Sequence, residues 1–140
     1  MLERFLRHYA VAGLSATVEA LFPVNDQGAP DYLTTDLVAR TLEYLELLPA
    51  RQRRLLLSLF ALVELAAPFL LVGWGRFSSV SVERRERAVR RFRSSSVAAL
   101  RLVGDALKAS TTMMYMSHPA ALSYVGADPG SALTVTGSDR

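Results

Sequence analysis

The segment from Leu55 to Gly75 constrains the fold most, because it runs for 21 residues with a single charged side chain, Glu64. Its length alone would allow a membrane span. An acid near the midpoint of a span costs about 2.5–3.5 kcal/mol, however, and Pro68 follows one helical turn later. We therefore expect a buried helix from about Ala50 to Val72, in the middle of a helical bundle.

Apolar residues recur at three- and four-residue spacing along most of the rest of the chain, which is the pattern of an amphipathic helix. Pro23, Pro49 and Pro119 mark helix boundaries in this pattern. We find no strand pattern and no internal repeat. The prediction is an all-α protein: a single bundle of five or six helices over residues 1–126, with a central apolar helix and a loose, flexible tail over 127–140.

Composition excludes several classes of protein. Hydrophobic residues make up 51% of the chain, so an intrinsically disordered chain is excluded. The chain has no cysteine, which excludes a disulfide scaffold and a cysteine-based zinc site. It has no glycine-rich phosphate loop, and His8 and His118 lack nearby paired carboxylates. We therefore expect no catalytic, cofactor-binding or metal-binding residue here, and no enzyme activity from this chain alone.

Positive charge is concentrated in one segment, since six arginines lie within residues 84–93. Three interpretations are open: a solvated helix face, salt bridges to acids of a partner or of the first two helices, and contacts to nucleic-acid phosphates. No base-reading motif accompanies the arginines, so we expect no nucleic-acid partner. Arg84, Arg87 and Arg91 are the candidate partner-binding residues of this segment.

Glu64 stands alone on an otherwise apolar helix. A buried carboxylate without a partner is costly, so we expect Glu64 to form a structural ion pair with an arginine. The candidates are Arg76, Arg84, Arg85 and Arg101.

A methionine-rich segment follows near the end of the last long helix. Methionine surfaces adapt easily to a partner or an apolar ligand, although the same residues could form part of the core. The candidate partner-binding residues here are Met113, Met114, Tyr115, Met116 and His118.

A series of short motifs extends along residues 35–126. In order, they are Leu48-Pro49, Arg53, Leu56-Leu57, Glu64, Arg76-Phe77, Ser81, Arg85-Glu86, Leu100-Arg101, Lys108, Tyr115, His118-Pro119 and Gly126. This order resembles the small helical subunit of gluconate 2-dehydrogenase, the subunit 3 family. It is also similar to the helical segment that precedes the flavin domain in long-chain fatty alcohol oxidases.

The resemblance implies a companion chain. That chain would be an FAD-dependent alcohol dehydrogenase or oxidase of the glucose–methanol–choline superfamily, and it would hold the FAD and the catalytic residues. The present chain would be a non-catalytic small subunit that packs on this flavoprotein and stabilises it. The resemblance implies no cofactor-binding or catalytic residue in this chain.

Two departures from the family bear on location and function. The N-terminal residues lack the twin-arginine export signal of secreted members, so we expect a cytoplasmic protein, associated with a membrane at most through its partner. Ala127 stands where the family has an aromatic residue. The alternative function is a helical module that binds a lipid or membrane surface, with a DNA-binding helical protein as a further class.

Overall fold

The structure, a computed structural model, describes residues 2–67 and 75–127. Within these ranges the chain forms six α-helices, one 3-10 turn and no strand, which confirms the predicted all-α bundle. The elements are α1 (Leu2–Leu21), α2 (Leu37–Leu47), α3 (Ala50–Ala67), the 3-10 turn (Phe77–Ser79), α4 (Val82–Ser94), α5 (Ala98–Met116) and α6 (Pro119–Tyr124).

The central element is α1, which packs against α2, α3, α4 and α5. Its buried positions are rich in small residues, including Ala10, Gly13 and Ala16. Small side chains let a neighbouring helix approach closely. At Gly13 a Cβ atom would lie only 2.2 Å from the carbonyl oxygen of Phe60 on α3. The contact between α1 and α3 is therefore a contact of backbone against backbone.

The prediction that the third helix lies in the middle of the bundle is wrong. Leu57 and Phe60 are buried on the side that faces α1. On the opposite side, Leu55, Leu62 and Leu65 are exposed by 64, 51 and 37%. The central place goes to α1 because its small residues let several neighbours pack closely on it. Leucine-rich α3 is therefore left on the outside.

Two sequence predictions fall outside the described residues. These are the end of the third helix, residues 68–72, and all but the first residue of the predicted tail, residues 128–140. In the part of the chain that the structure describes, no helix combines the length and hydropathy needed to cross a bilayer.

The connection between α4 and α5 is held by side-chain contacts to backbone. The Arg101 guanidinium donates hydrogen bonds to the carbonyl oxygens of Ser95 and Ser96, at 2.8 and 3.2 Å. Gly104 brings α5 against α4, since a Cβ atom there would lie 2.8 Å from the backbone nitrogen of Arg93. The two helices therefore pack side by side at close range.

Buried hydroxyl groups are accommodated inside single helices. Thr17, Thr41 and Thr111 each donate a hydrogen bond of 2.7 Å to the carbonyl oxygen four residues earlier. Each hydroxyl is thus satisfied without a partner from another helix, which allows a polar residue in the core at little cost.

Replacing Gly13 with alanine should destabilise the protein, although alanine is normally the better helix former. The new methyl group would meet the Phe60 carbonyl oxygen, and α1 and α3 would have to separate. We expect a loss of about 3 kcal/mol in the free energy of unfolding, at the upper end for overpacking. Denaturant unfolding followed by circular dichroism measures it. Ser15→Ala in the same helix is the control, and equal stability of both variants would contradict the close approach.

Candidate functional site

Glu64 is fully buried, as expected, but an arginine is not its partner. Its carboxylate accepts a hydrogen bond from the Ser78 N–H at 2.9 Å and another from the Ser78 hydroxyl at 2.5 Å. Among the described residues, Glu64 makes no ion pair, so that prediction is wrong. The 3-10 turn supplies donors directly to the carboxylate. Arg76 lies instead over the ring of Tyr9, at 5.2 Å.

Arg85, another of the arginines considered for Glu64, is buried and forms an ion pair with a partly exposed acid. Its guanidinium lies 2.6 Å from the Glu19 carboxylate on α1. It also donates to the carbonyl oxygens of Val80 at 2.9 Å and Ala16 at 3.2 Å. Salt bridging to the first helix is thus the correct interpretation for this arginine. The sequence signal was its position four residues before Val89, on the buried face of α4.

Arg84, Arg87 and Arg91 are all exposed. Their spacing of three and four residues puts them on one side of α4. The Arg87 guanidinium donates to the Glu83 carbonyl oxygen of its own helix, at 3.3 Å. The three residues therefore present positive charge to the surroundings, and their role in partner binding stays a prediction.

Arg90 and Arg93 of α4 pair with acids nearby. Arg90 forms an ion pair with Glu86, one turn earlier on the same helix. Arg93 forms an ion pair with Asp105 of α5, at 3.1 Å. Of the six arginines, one is thus buried and five are exposed, three of them along one side of α4.

Within the methionine-rich segment, Tyr115 belongs to the core. Its ring stacks on Phe22 with 4.2 Å between the ring centres, and its hydroxyl donates to the Pro30 carbonyl oxygen at 2.7 Å. Met114 and Met116 are partly buried against the same core, whereas Met113 is 52% exposed. Met113 is therefore the methionine of this segment most open to a partner.

His118 caps the last helix. Its Nδ1 accepts a hydrogen bond from the Ala120 N–H at 3.1 Å, and Pro119 occupies the first position of α6. Both features favour the start of a helix at this point. The contacts of His118 within the fold are those of a capping residue, and a role in partner binding stays a prediction.

A cleft of about 610 Å³ lies where the end of α1 meets α4 and α5. Its apolar lining includes Leu21, Val89 and Met116, and its cations include Arg93 and Lys108. The volume lies in the range of small-molecule sites. We call it the basic cleft. It brings together one end of the arginine run and the end of the methionine-rich segment, which the sequence pattern did not predict.

A second surface lies on α3. Leu55, Leu62 and Leu65, here called the leucine row, follow one side of the helix at seven- and three-residue spacing and are all exposed. Arg51 and Arg54 are exposed at the N-terminal end of the same helix. The leucine row is thus an apolar strip with a basic end, on the side of α3 that faces away from α1.

Within residues 2–67 and 75–127, no cluster of three histidine, aspartate or glutamate side chains is placed to hold a metal ion. Comparisons with protein-family models, with curated proteins and with solved structures find no match to this chain. The functional assignment therefore depends on the surfaces described above and on the order of motifs in the sequence.

Replacing Glu64 with alanine should lower the free energy of unfolding by about 3 kcal/mol. The variant loses the two hydrogen bonds from Ser78 and leaves a cavity where the Glu64 side chain is buried. Ser78→Ala removes the hydroxyl bond but keeps the N–H bond, so it should cost about half as much. Thermal unfolding of both variants and of the double variant measures the coupling. Fully additive losses would contradict the direct contact between Glu64 and Ser78.

Replacing Tyr115 with phenylalanine should cost about 1 kcal/mol at pH 7, because the ring remains stacked and the hydrogen bond to Pro30 is lost. Burial raises the pKa of the Tyr115 hydroxyl above its usual value of 10.0, and the Tyr124 hydroxyl and the Asp31 carboxylate act in the same direction. The native state therefore holds this proton more tightly than the unfolded chain does.

The stabilisation from Tyr115 is accordingly present below pH 10 and decreases as the pH rises through the raised pKa. The difference in unfolding free energy between wild type and Tyr115→Phe should shrink above pH 10. Urea titrations at several pH values measure it, with Tyr44→Phe as the control for removing a phenol elsewhere. A difference that grows with pH would contradict the burial of the Tyr115 hydroxyl.

Proposed function

We propose that this chain is a non-catalytic accessory subunit, which packs through the leucine row on a larger FAD-dependent alcohol dehydrogenase or oxidase. The observation that carries the proposal is the exposure of Leu55, Leu62 and Leu65 on one side of α3. Single exposed leucines are ordinary on protein surfaces. Several aligned along one helix face are typical of a surface that binds another protein.

Exposed apolar side chains on a second helix favour a partner large enough to contact more than α3. On α5, Leu102 is 71% exposed and Met113 is 52% exposed. Obligate interfaces bury more than about 2,000 Å² and resemble a core cut in half. One strip of three leucines is too small for such an interface, so a partner that reaches beyond α3 fits the observed surface better.

The proposed identity of the partner rests on the order of motifs, which resembles that of the gluconate 2-dehydrogenase small subunit. Several motif residues make the contacts that hold the fold. Glu64 binds the 3-10 turn, Arg85 pairs with α1, Tyr115 stacks in the core and His118 caps α6. A resemblance carried by such residues is one of fold. The resemblance therefore supports a helical architecture shared with the small subunit, and the proposed interface with the flavoprotein lies on the surface of that architecture.

In the proposed complex the larger subunit holds the FAD and performs the oxidation. The present chain covers apolar surface of that subunit and stabilises it, with Arg84 and Arg87 available to meet acidic groups of the partner.

Co-expression with a glucose–methanol–choline flavoprotein from the same genome tests the proposal. The wild-type chain should co-purify with the flavoprotein in a fixed stoichiometry. Leu62→Glu should reduce the affinity at least tenfold, because it places a charge in the centre of the leucine row. Its free energy of unfolding should change by less than about 1 kcal/mol, since the side chain is half exposed in the free protein.

Leu33→Glu is the matched control, since Leu33 lies in the connection between α1 and α2 and is 64% exposed, as Leu55 is. It should bind the flavoprotein as tightly as the wild type. Equal co-purification of wild type and Leu62→Glu would contradict the assigned surface. A wild-type chain that ignores the flavoprotein but sediments with anionic vesicles, with the vesicle binding lost in Leu62→Glu, would favour the lipid-surface function instead.

A further inference from the structure

We propose that the basic cleft binds an organic monocarboxylate with an apolar body, such as a medium-chain aliphatic acid. This site is separate from the leucine row, because it lies between α1, α4 and α5, whereas the leucine row lies on α3. The inference therefore does not depend on the proposed partner.

The shape of the basic cleft favours a small molecule. Side chains of three helices line it, and its volume of about 610 Å³ lies in the range of ligand sites. Its wall along α4 includes Val89, and the wall along α5 includes Tyr115 and Met116. Tyr115 is fixed by its stacking on Phe22 and by its hydrogen bond to Pro30, so this wall is preformed.

The apolar part of the cleft lining favours a ligand with an apolar chain. Leu21 contributes from α1, and Met116 provides a flexible thioether that adapts to the shape of a bound chain. A straight aliphatic chain lying on these side chains would remove its surface from water, at a gain of roughly 0.8 kcal/mol for each buried methylene group.

The charges at the cleft favour a single negative charge. Arg90 is already paired with Glu86, and Arg93 is already paired with Asp105. Lys108 also lines the cleft, and in the described part of the chain no hydrogen bond or ion pair engages its ammonium group. The cleft therefore offers one unpaired cation. A carboxylate would match this charge, whereas a dianion would leave one charge without a partner.

Isothermal titration calorimetry of the full chain with sodium octanoate tests the proposal. We expect one molecule bound per chain at submillimolar concentration. Butyrate should bind at least tenfold more weakly, because it lacks most of the apolar body, and octylammonium should not bind. Amide chemical shifts in residues 86–93 and 108–116 should change on addition of octanoate.

Two variants act on the basic cleft in different ways. Lys108→Gln removes the unpaired charge and should weaken octanoate binding about tenfold, the usual effect of losing a hydrogen bond to a charged group. Thr112→Trp keeps the charge and fills the cleft, since Thr112 lines it and is partly exposed. It should abolish binding.

Arg87→Gln is the matched control, because it removes the same charge from the exposed side of α4, away from the cleft lining. It should bind octanoate as the wild type does. Any of three results would overturn the proposal: no saturable binding by the wild type, equal affinity in Lys108→Gln, or equal binding of octanoate and octylammonium. A loss of affinity in Arg87→Gln as large as in Lys108→Gln would also overturn it, since it would indicate attraction by overall charge alone.

Discussion

The close approach of α1 and α3 at Gly13 sets the arrangement of the rest of the protein. A methyl group at Gly13 would collide with the Phe60 carbonyl oxygen, and it would also lie 3.3 Å from the Cβ atom of Glu64. The same approach places the Glu64 carboxylate where it receives two hydrogen bonds from Ser78. Phe77, next to Ser78, is completely buried. The backbone contact, the buried carboxylate and the 3-10 turn thus form one connected unit.

Two buried polar side chains, those of Glu64 and Arg85, join elements that apolar contacts alone would leave free to slide. Glu64 joins α3 to the 3-10 turn, and Arg85 joins α4 to α1 through the Glu19 carboxylate. Within the described residues, every buried side-chain nitrogen or oxygen atom has a hydrogen-bond partner. Apolar side chains of similar volume can pack in many arrangements at little cost. A buried polar or charged side chain is stable only in an arrangement that gives it a partner. These pairs therefore specify which helices are neighbours.

The two candidate surfaces have different physical character. The leucine row is an exposed apolar strip along one helix, which suits a complementary apolar surface of another protein. The basic cleft is concave, with an apolar lining and cations, which suits a small amphiphilic anion. They lie on different helices, so an accessory subunit could hold its partner with one surface and a small ligand in the other. Arg84 and Arg87 on the exposed side of α4 belong to neither surface.

The sequence by itself determined that the chain is all-α and where several of its helices begin or end. Pro23, Pro49 and Pro119 mark helix boundaries because proline fixes the backbone locally, and Ser81 occupies the N-cap position of α4. The burial of Glu64 was also predictable, since its neighbours along the chain are apolar. The sequence did not predict the hydrogen-bond partner of Glu64 or the central position of α1, because both depend on which helices pack together. The basic cleft forms only when α1, α4 and α5 pack together, and no local sequence pattern predicts which helices pack together.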